Sequence, residues 1–566
     1  MVTWPRMAYL AGRLPNTRDQ GAYAWDMWWM ARQVTHLGNP FSTNMIYAPV
    51  GTPLAYHPMM PLLGVIMVPI TLVAGAGFSA NILSVLVPGL AAYAMYRAAR
   101  LWLPPVGAFA SGALFGMSSM LTWRAWFHLN LAAGAVFLPI TLEAAVRLRR
   151  DPSVARSAVL GLVVGLCLLV DAESTILCAI VVAAVLLPWV FSPPRRRKWG
   201  LLGLAAIAGV AVASVQIIAM LRQTFVLEQN PETIAGAEVR FGVSLTQIFA
   251  PSPRVAAFGL DGLGNAYFHG IKTEGMPTFG VTLTALALLG VAASWRGWQA
   301  RTWLLLWLAG SVVALGPVLY IGTRPYTPLP LHDHGQTLSG IMPYTWLTRL
   351  PGLTSFYEAN RFTVLALLPA SLLAGRAIAW IRKRFAPALV IVAVLAATEL
   401  GWSGPQPDGP VPHFSLSTRV PDGAAMATDM PAVDRALKAD HSGSLVVDVP
   451  LGFRSGTLEF GAPFPGEALV LATQDNHPRA VGYVARLPRH TIELLAQHRF
   501  YTALLQVQRG GNLTPTGVQE AGADARAMHV GWVVVWQRVT RRLRRFLTET
   551  GFQFDYRAAG VSVYRA

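Results

Sequence analysis

The sequence predicts an α-helical polytopic membrane protein, with about ten to eleven transmembrane helices, that ends in an extracytoplasmic α/β domain. Three observations support this prediction. Hydrophobic residues make up 54% of the chain and charged residues only 13%, about half the charged share of a soluble domain. Apolar runs of about 20 residues, long enough to cross a bilayer core, recur between residues 78 and 402. Beyond residue 402 such runs stop, and short strand-like and helix-like segments follow.

The transmembrane helices are predicted directly from the apolar runs. The predicted spans are residues 78–98, 105–123, 128–147, 155–170, 172–191, 199–220, 277–294, 302–320, 361–380 and 386–402. The two cysteines, Cys167 and Cys178, lie inside such runs, which excludes a disulfide framework and a cysteine-based zinc site.

The net charge of +17 does not predict a nucleic-acid partner, because much of the excess lies in short loops between apolar runs. The basic clusters are Arg97/Arg100, Arg147–Arg156, Arg195–Lys198, Arg296/Arg301 and Arg382–Arg384. Residues 59–77 are apolar but broken by prolines and glycines, so they either cross the membrane or lie along its surface. If they do not cross and the N-terminal segment is outside, every basic cluster is cytoplasmic, as the positive-inside rule favours.

Three domains follow from this topology: an extracytoplasmic first loop with juxtamembrane helices at residues 1–77, a transmembrane domain at 78–402, and an extracytoplasmic α/β domain at 403–566. Residues 1–15 are too short and too polar to predict a spanning helix or a signal peptide. Residues 19–37 predict an amphipathic helix, since Trp25, Trp28 and Trp29 share one face.

The C-terminal domain opens with a linker rich in proline and glycine at residues 403–412. Apolar runs predict buried strands at Ser444–Val449, Ala468–Ala472 and Trp532–Trp536. Helices are predicted at residues 425–440, 488–508 and 538–550.

Two carboxylates stand in the first predicted outer loop. Asp19 begins the predicted helix, where it would act either as a general base that takes a proton from an acceptor hydroxyl or as the helix N-cap. Asp26 lies further along, between tryptophans, as a second catalytic acid or as a satisfied interface residue.

A second pair of carboxylates, Asp171 and Glu173, lies where one predicted span ends and the next begins. At a tight helical hairpin both would face a substrate or a divalent cation such as Mg²⁺ or Mn²⁺, and the alternative is that they are water-facing helix caps. The sequence His332-Asp333-His334 also suits a metal, although a polar loop explains it as well. Cofactor use therefore stays open, with a divalent cation as the candidate.

Glu358 and Arg361 directly precede a predicted span. An arginine at that depth would bind an anionic lipid phosphate bidentately, and the alternative is that it reaches from the helix end to the membrane interface.

Taken together, these residues resemble the GT-C superfamily of membrane glycosyltransferases, and most closely a bacterial branch of it. The matching motifs are Asp19-Gln20 with Trp25 and Trp28-Trp29, Asn39-Pro40-Phe41, Ala48-Pro49-Val50-Gly51, Pro61-Leu62-Leu63-Gly64, His128-x-Asn130-Leu131, Pro343-Tyr344 with Leu350-Pro351-Gly352 and Arg361-Phe362, and Val447-Asp448-x-Pro450. The family also has a spanning helix before the catalytic loop, which residues 1–17 do not supply.

The resemblance implies a sugar transfer from a polyprenyl-phosphate-linked donor to a cell-envelope glycan or lipid acceptor, at the outer face of the cytoplasmic (inner) membrane and in contact with membrane lipid. We expect Asp19, Asp26, Asp171 and Glu173 to act in catalysis, and Gln20, His57, His128, Asn130, Glu358 and Arg361 to act in substrate binding. Two alternatives of other classes are a lipid-linked glycan transporter or flippase and a non-catalytic scaffold for envelope assembly. The predicted spans are nearly free of charge away from their ends, which speaks against a transporter.

The orientation can be tested by thiol labelling in intact cells. Because the basic clusters should be cytoplasmic, single cysteines at Arg196 and Lys383 should resist a membrane-impermeant reagent, and one at Gly409 should react. The same variants should all react after the cells are lysed. Labelling at position 196 together with protection at position 409 in intact cells would reverse the predicted orientation.

Overall fold

The computed structural model describes most of the chain and is predominantly helical. It describes residues 10–227, 242–249, 278–322, 324–328, 331–333, 336–349, 358–400, 425–456 and 458–566. The predicted linker at residues 403–412, with Gly409, and the motif Leu350-Pro351-Gly352 lie outside the described residues.

The chain divides into two compact units, each with its own hydrophobic core. The first, the helical unit, comes mainly from Leu83–Ser214 and Thr233–Arg419. The second, the mixed unit, comes from Tyr9–Ile82, Val215–Glu232 and Val420–Ala566. The predicted first loop and the predicted C-terminal domain were separate domains in the sequence interpretation, whereas most of their described residues share the mixed unit.

The helical unit consists of helices and two short strand pairs. Its helices are Ala76–Ala99, Pro105–Gly116, Ser119–Phe127, Leu129–Arg150, Val154–Leu168, Ala172–Val190, Arg195–Val212, Leu245–Phe249, Gly280–Ser294, Trp298–Ala314, Pro343–Leu347, Thr363–Arg384 and Ala388–Leu400, with a 3-10 turn at Ala359–Phe362. Its strand pairs are Tyr320–Ile321 with Arg324–Pro325 and Leu331–Asp333 with Gln336–Ser339.

The buried helix Thr363–Arg384 is the centre of the helical unit, where it packs against the helices Pro105–Gly116 and Gly280–Ser294. Glycines allow these backbones to approach closely. A Cβ on Gly107 would lie 2.6 Å from the carbonyl oxygen of Gly375, and one on Gly290 would lie 2.0 Å from that of Leu373. Small residues at such crossings are typical of helices that pack inside a membrane.

The helix Gly280–Ser294 is anchored at its first turn by a glutamate from another helix. Glu399 accepts hydrogen bonds from the backbone N–H groups of Val281 at 2.6 Å and Thr282 at 2.7 Å. These donors have no partner inside their own helix, so the carboxylate acts as a cap. Gly280 has φ +77° and a Cβ there would lie 2.4 Å from the Glu399 Oε1 atom, which leaves room only for glycine.

Fewer helices reach membrane-spanning length than the sequence predicts. Among the described residues, four are long and apolar enough to cross, or up to five if one bent pair counts as a span. The four are Ala76–Ala99, Leu129–Arg150, Ala172–Val190 and Ala359–Arg384, and the pair Arg195–Val212 with Ser214–Val226 bends by 74°. The prediction of ten to eleven spans is therefore not confirmed.

The difference arises because an apolar run is longer than the helix inside it. The run at residues 105–123 is interrupted at Met117-Ser118, which leaves a helix of 12 residues at Pro105–Gly116. At 1.5 Å per residue such a helix is about 18 Å long, short of a bilayer core of about 30 Å. The segment that was predicted not to cross also forms a short helix, Pro61–Ala74, of 14 residues.

The mixed unit combines helices with a central four-stranded sheet. The sheet order is Gln553–Ala558, Val561–Arg565, Val530–Val535 and Leu445–Val449, and the last two strands are parallel. A three-stranded sheet has the order Leu458–Gly461, Gly452–Ser455 and Gly482–Val484. The two-stranded pairs are Arg13–Pro15 with Ala425–Ala427 and Ser42–Thr43 with Thr52–Pro53.

The helices of the mixed unit come from both ends of the chain. They are Arg18–His36, Pro61–Ala74, Ser214–Leu221 with a π-turn at Arg222–Val226, Pro431–Ala439, Glu467–Asp475, Arg489–Leu495, Arg499–Gln508, Pro515–Ala527 and Arg541–Glu549. The central sheet buries both faces, as its valine-rich strands require. Val447 and Val533 join the core that contains Trp25 and Trp29, and the opposite face has a core of its own.

Most elements predicted for this unit are confirmed. The helix expected at residues 19–37 is Arg18–His36, and the strands expected near Val447 and Val533 form the parallel pair. The strand expected at Ala468–Ala472 is wrong, because these residues lie in the helix Glu467–Asp475. A buried apolar run of five residues fits either structure, and the sequence alone does not decide.

The predicted helices of the C-terminal segment are also largely present. Residues 425–440 begin with a strand at Ala425–Ala427 and form a helix only from Pro431. Residues 488–508 form two helices rather than one, and residues 538–550 form the helix Arg541–Glu549.

A buried network of charges lies at the edge of the central sheet. Arg479 donates to Asp448 at 2.9 and 3.2 Å and also pairs with Asp475. Trp536 donates its indole N–H to Asp448 at 2.8 Å. All three ionic side chains of the network are fully buried. The Val-Asp-x-Pro motif thus supplies a buried structural carboxylate.

Asp448→Ala should destabilise the protein by about 3 kcal/mol, because it leaves buried charge and the Trp536 N–H without an acceptor. This is the lower end of the range for such a loss, since Asp475 still faces Arg479. The midpoint of chemical denaturation in detergent, followed by tryptophan fluorescence, measures the change. The exposed control Asp555→Ala should stay within about 0.5 kcal/mol of wild type. Equal midpoints for the two variants would contradict a stabilising role for the network.

Candidate active site

The N-terminus of the helix Arg18–His36 is capped by Thr17, whose side chain accepts a hydrogen bond from the Gln20 N–H at 3.1 Å. The capping alternative for Asp19 is therefore wrong. Asp19 lies in the first turn, where the helix dipole favours a negative charge, and its side chain is 15% exposed. Its carboxylate is thus close to solvent and is not engaged in capping the helix.

Two glycines fix the backbone around Asp19. A Cβ on Gly21 would lie 2.4 Å from the carbonyl oxygen of Gly466, and one on Gly466 would lie 2.6 Å from that of Thr17. The first turn of the helix therefore packs directly on the backbone that precedes the helix Glu467–Asp475. No side chain fits between the two segments. Their close backbone contact therefore fixes the position of the helix turn that carries Asp19.

A row of side chains across the three-stranded sheet faces the start of this helix. The register pairs Arg454 with Glu459 on one side and with Tyr483 on the other. Arg454 Nη1 lies 3.4 Å from Asp19 Oδ2, and Glu459 forms an ion pair with Arg18. The helix start thus contributes one cation and one anion, Arg18 and Asp19, and the sheet contributes the oppositely charged partners Glu459 and Arg454.

Arg454 is held by contacts that do not involve Asp19. Its guanidinium lies over the ring of Tyr483, 4.4 Å from the centroid, and its Nε donates to the carbonyl of Gly456 at 2.9 Å. Its own backbone carbonyl accepts a hydrogen bond from the Tyr47 hydroxyl at 2.6 Å. Its position is therefore set mainly by the sheet.

Asp26 and His57 form a buried pair, with 3.0 Å between Asp26 Oδ1 and His57 Nε2. The Ala485 N–H donates to His57 Nδ1 at 3.2 Å, so the neutral imidazole carries its proton on Nε2 and donates it to Asp26. Burial raises the pKa of the Asp26 carboxyl, and His57 opposes that shift. Asp26 is fully buried, and its Oδ1 atom is the one that contacts His57.

Tyr483 links this buried pair to the Asp19 site. The edge of the His57 ring meets the Tyr483 ring, with 6.3 Å between centroids and an angle of 76°. The mixed unit therefore brings Asp19, Asp26 and His57 into one connected group, while Gln20 is completely buried. Arg454 and Tyr483 complete the group, and sequence reasoning missed both because strand register is not visible in the sequence.

In the helical unit Asp171 is the N-cap of the helix Ala172–Val190. Its Oδ2 accepts from the Ser174 N–H at 2.7 Å, and its Oδ1 accepts from the Asn130 side chain at 2.9 Å. The alternative that made Asp171 a cap is confirmed, although the cap is buried rather than water-facing. His128 lies between two helices, with its ring 5.3 Å from the ring of Trp123.

Arg361 lies between two glutamates. It forms an ion pair with Glu173 and another with Glu358, whose Oε1 is 3.1 Å from Arg361 Nη2. Its charge is therefore already neutralised within the protein. A lipid phosphate that bound there would share the guanidinium with these two carboxylates.

Two of the candidate metal ligands, Asp171 and Glu173, have partners within the protein. Within the described ranges, no three His, Cys, Asp or Glu side chains are grouped so that they could hold a metal ion. Asp171 uses both oxygens as a cap and as the acceptor for Asn130, and Glu173 is paired with Arg361. Of the His332-Asp333-His334 motif, His334 lies outside the described residues.

Three solved structures are similar to this chain at low sequence identity. The arabinofuranosyltransferase AftD from Mycobacteria is 13% identical with a TM-score of 0.57, over 100% of this chain and 39% of AftD. The Archaeoglobus fulgidus oligosaccharyltransferase is 12% identical with a TM-score of 0.42, over 92% of this chain and 66% of that one. ArnT from Cupriavidus metallidurans, solved with undecaprenyl phosphate, is 12% identical with a TM-score of 0.42, over 100% of this chain and 95% of ArnT.

The structural similarity to AftD confirms the resemblance at the level of the fold, and all three proteins are GT-C membrane glycosyltransferases. The chain spans about two fifths of the length of AftD. No curated protein matches the chain. The model of one family, described as a domain of unknown function (DUF6311), matches residues 16–342, more than half of the chain. The protein therefore belongs to the DUF6311 family and has the fold of the GT-C membrane glycosyltransferases.

Proposed function

We propose that the protein is a membrane glycosyltransferase that moves a sugar from a polyprenyl-phosphate-linked donor to a hydroxyl of a cell-envelope glycan or lipid, at the outer face of the cytoplasmic membrane. The observation that supports it most is the state of Asp19. This carboxylate is partly exposed, has no capping role, and starts a rigidly held helix in a chain with the fold of an arabinofuranosyltransferase.

The chemistry needs one base and a stable leaving group. Asp19 takes the proton of the acceptor hydroxyl as its oxygen forms a bond to the anomeric carbon of the donor sugar. The bond from that carbon to the phosphate oxygen breaks, and the lipid phosphate leaves with the electron pair. Because the leaving group is a phosphate, its negative charge has to be stabilised rather than protonated.

The carboxylates differ in how available they are for this role. Asp26 is buried against His57, Asp171 caps a helix, and Glu173 is held by Arg361. Each of these would have to give up a buried or ionic contact before it could take a proton from a substrate. Asp19 is partly exposed, and its contact with Arg454 is long, at 3.4 Å between Oδ2 and Nη1. We therefore assign the role of base to Asp19.

Asp19→Asn should lower the transfer rate by at least about a hundredfold, the lower end expected for loss of a general base. Insertion and folding should be unchanged, since the cap is Thr17. The assay follows release of polyprenyl phosphate by purified protein in detergent, with polyprenyl-phosphate-linked sugars as donors. Arabinofuranose is tried first, because AftD is an arabinofuranosyltransferase.

Asp26→Asn makes the same chemical change in the same helix and is the matched control. Asparagine still accepts the His57 hydrogen bond, so this variant should keep most of the wild-type rate. If Asp19→Asn stays active, or if both variants lose activity equally, the assignment of Asp19 as base is wrong. If wild-type protein turns over none of the donors, the glycosyltransferase proposal fails and the scaffold and transporter alternatives take its place.

A further inference from the structure

We infer that Arg454, from the C-terminal segment, is a positioning residue for Asp19, and that the ring of Tyr483 holds Arg454 in place. The inference rests on the proposed function, because it takes Asp19 as the base. It assigns the C-terminal segment a part in the chemistry as well as in the architecture of the mixed unit.

The distance between the two charges suits positioning. Tight pairs between a guanidinium and a carboxylate measure about 2.7–2.9 Å. Arg454 Nη1 is 3.4 Å from Asp19 Oδ2, close enough to orient the carboxylate by charge but too far to engage its lone pairs strongly. A base has to be aligned and still accept a proton, and this separation permits both. The two side chains are 19% and 15% exposed, so a substrate hydroxyl can approach.

The position of Arg454 is fixed independently of Asp19. The parallel register of Gly452–Ser455 with Gly482–Val484 places Tyr483 directly beside Arg454. The Tyr483 ring then supports the guanidinium at 4.4 Å, a cation–π distance. The Nε atom is occupied by the Gly456 carbonyl, which sets the rotation of the guanidinium plane. Strand pairing therefore fixes the position of the Arg454 guanidinium that Asp19 contacts.

The cation that adjoins Asp19 in the chain is paired with another carboxylate. Arg18, its neighbour in the chain, forms an ion pair with Glu459 on the adjacent strand. Glu459 stands opposite Arg454 in the antiparallel register and forms its ion pair with Arg18, while Arg454 faces Asp19. The consequence is that substituting Arg454 should act on Asp19 itself, while the Arg18–Glu459 pair stays in place.

A double-mutant cycle separates positioning from a merely structural role. Arg454→Met keeps the apolar stem on the Tyr483 ring and removes the charge, and should lower kcat about 10- to 100-fold, as expected when a reacting group is misplaced by about 1 Å. The donor KM should change less than about threefold, because the loss is confined to the chemical step. Arg454→Lys should recover part of kcat. In the Asp19→Asn background, Arg454→Met should have no further effect on kcat.

The ring of Tyr483 is tested by a matched pair of variants. Tyr483→Phe keeps the aromatic face and should retain most activity, whereas Tyr483→Leu removes it and should resemble Arg454→Met. Arg489→Met is the control for loss of an arginine, since Arg489 is 76% exposed and pairs only with Glu493 among the contacts described for it. It should leave kcat and KM unchanged.

The outcomes distinguish the failure of this inference from failure of the proposed function. If Asp19→Asn is impaired but Arg454→Met is not, the inference is wrong and the assignment of the base stands. If the effects of Asp19→Asn and Arg454→Met multiply, Arg454 acts independently of Asp19 and the inference is overturned. If Asp19→Asn is fully active, Asp19 is not the base and this inference is overturned with that assignment, whereas the proposed function fails only if the wild-type protein turns over no donor. Should Arg454→Met not fold, as judged by its thermal unfolding in detergent, Arg454→Gln replaces it in the same cycle.

Discussion

The burial of the tryptophan face of the helix Arg18–His36 is the constraint on which the mixed unit depends. Trp25 is almost fully buried and stacks on Trp29 at 5.5 Å between ring centroids. Each ring buries a large apolar surface, so this helix gains much of its stability from the core that covers it. The core that covers them contains Val447 and Val533 of the central sheet. The first segment of the chain and the last one therefore have to fold together.

This shared core explains why the site could be predicted only in part. The aromatic periodicity was enough to predict the helix and to single out Asp19 and Asp26 within it. It could not show which segment covers the helix, since hydrophobicity is not directional and any apolar face would satisfy it. Arg454 and Tyr483 enter the site only through strand register, which is set by pairing between residues far apart in sequence.

The same limit applies to the helical unit. Hydropathy correctly located the helices Leu129–Arg150 and Ala172–Val190, each of which contains an apolar stretch of 18 residues. It does not register a turn inside an apolar run, as at Met117-Ser118, so the predicted number of spans is not confirmed in the described residues. The roles of Asp171 and Arg361 also depended on partners, Asn130 and Glu173, that lie in other segments of the chain.

The family match covers only some of the residues that form the candidate site. The DUF6311 match ends at residue 342, so it includes Asp19, Asp26 and His57 but neither Arg454 nor Tyr483. The core around Trp25 is likewise completed by residues beyond the match, such as Val447 and Val533. The segment that defines the family therefore carries the proposed base and only part of the surface that buries its helix. A chain of this family that lacked an equivalent of the C-terminal sheet would need another apolar surface for Trp25 and Trp29, and another cation beside Asp19.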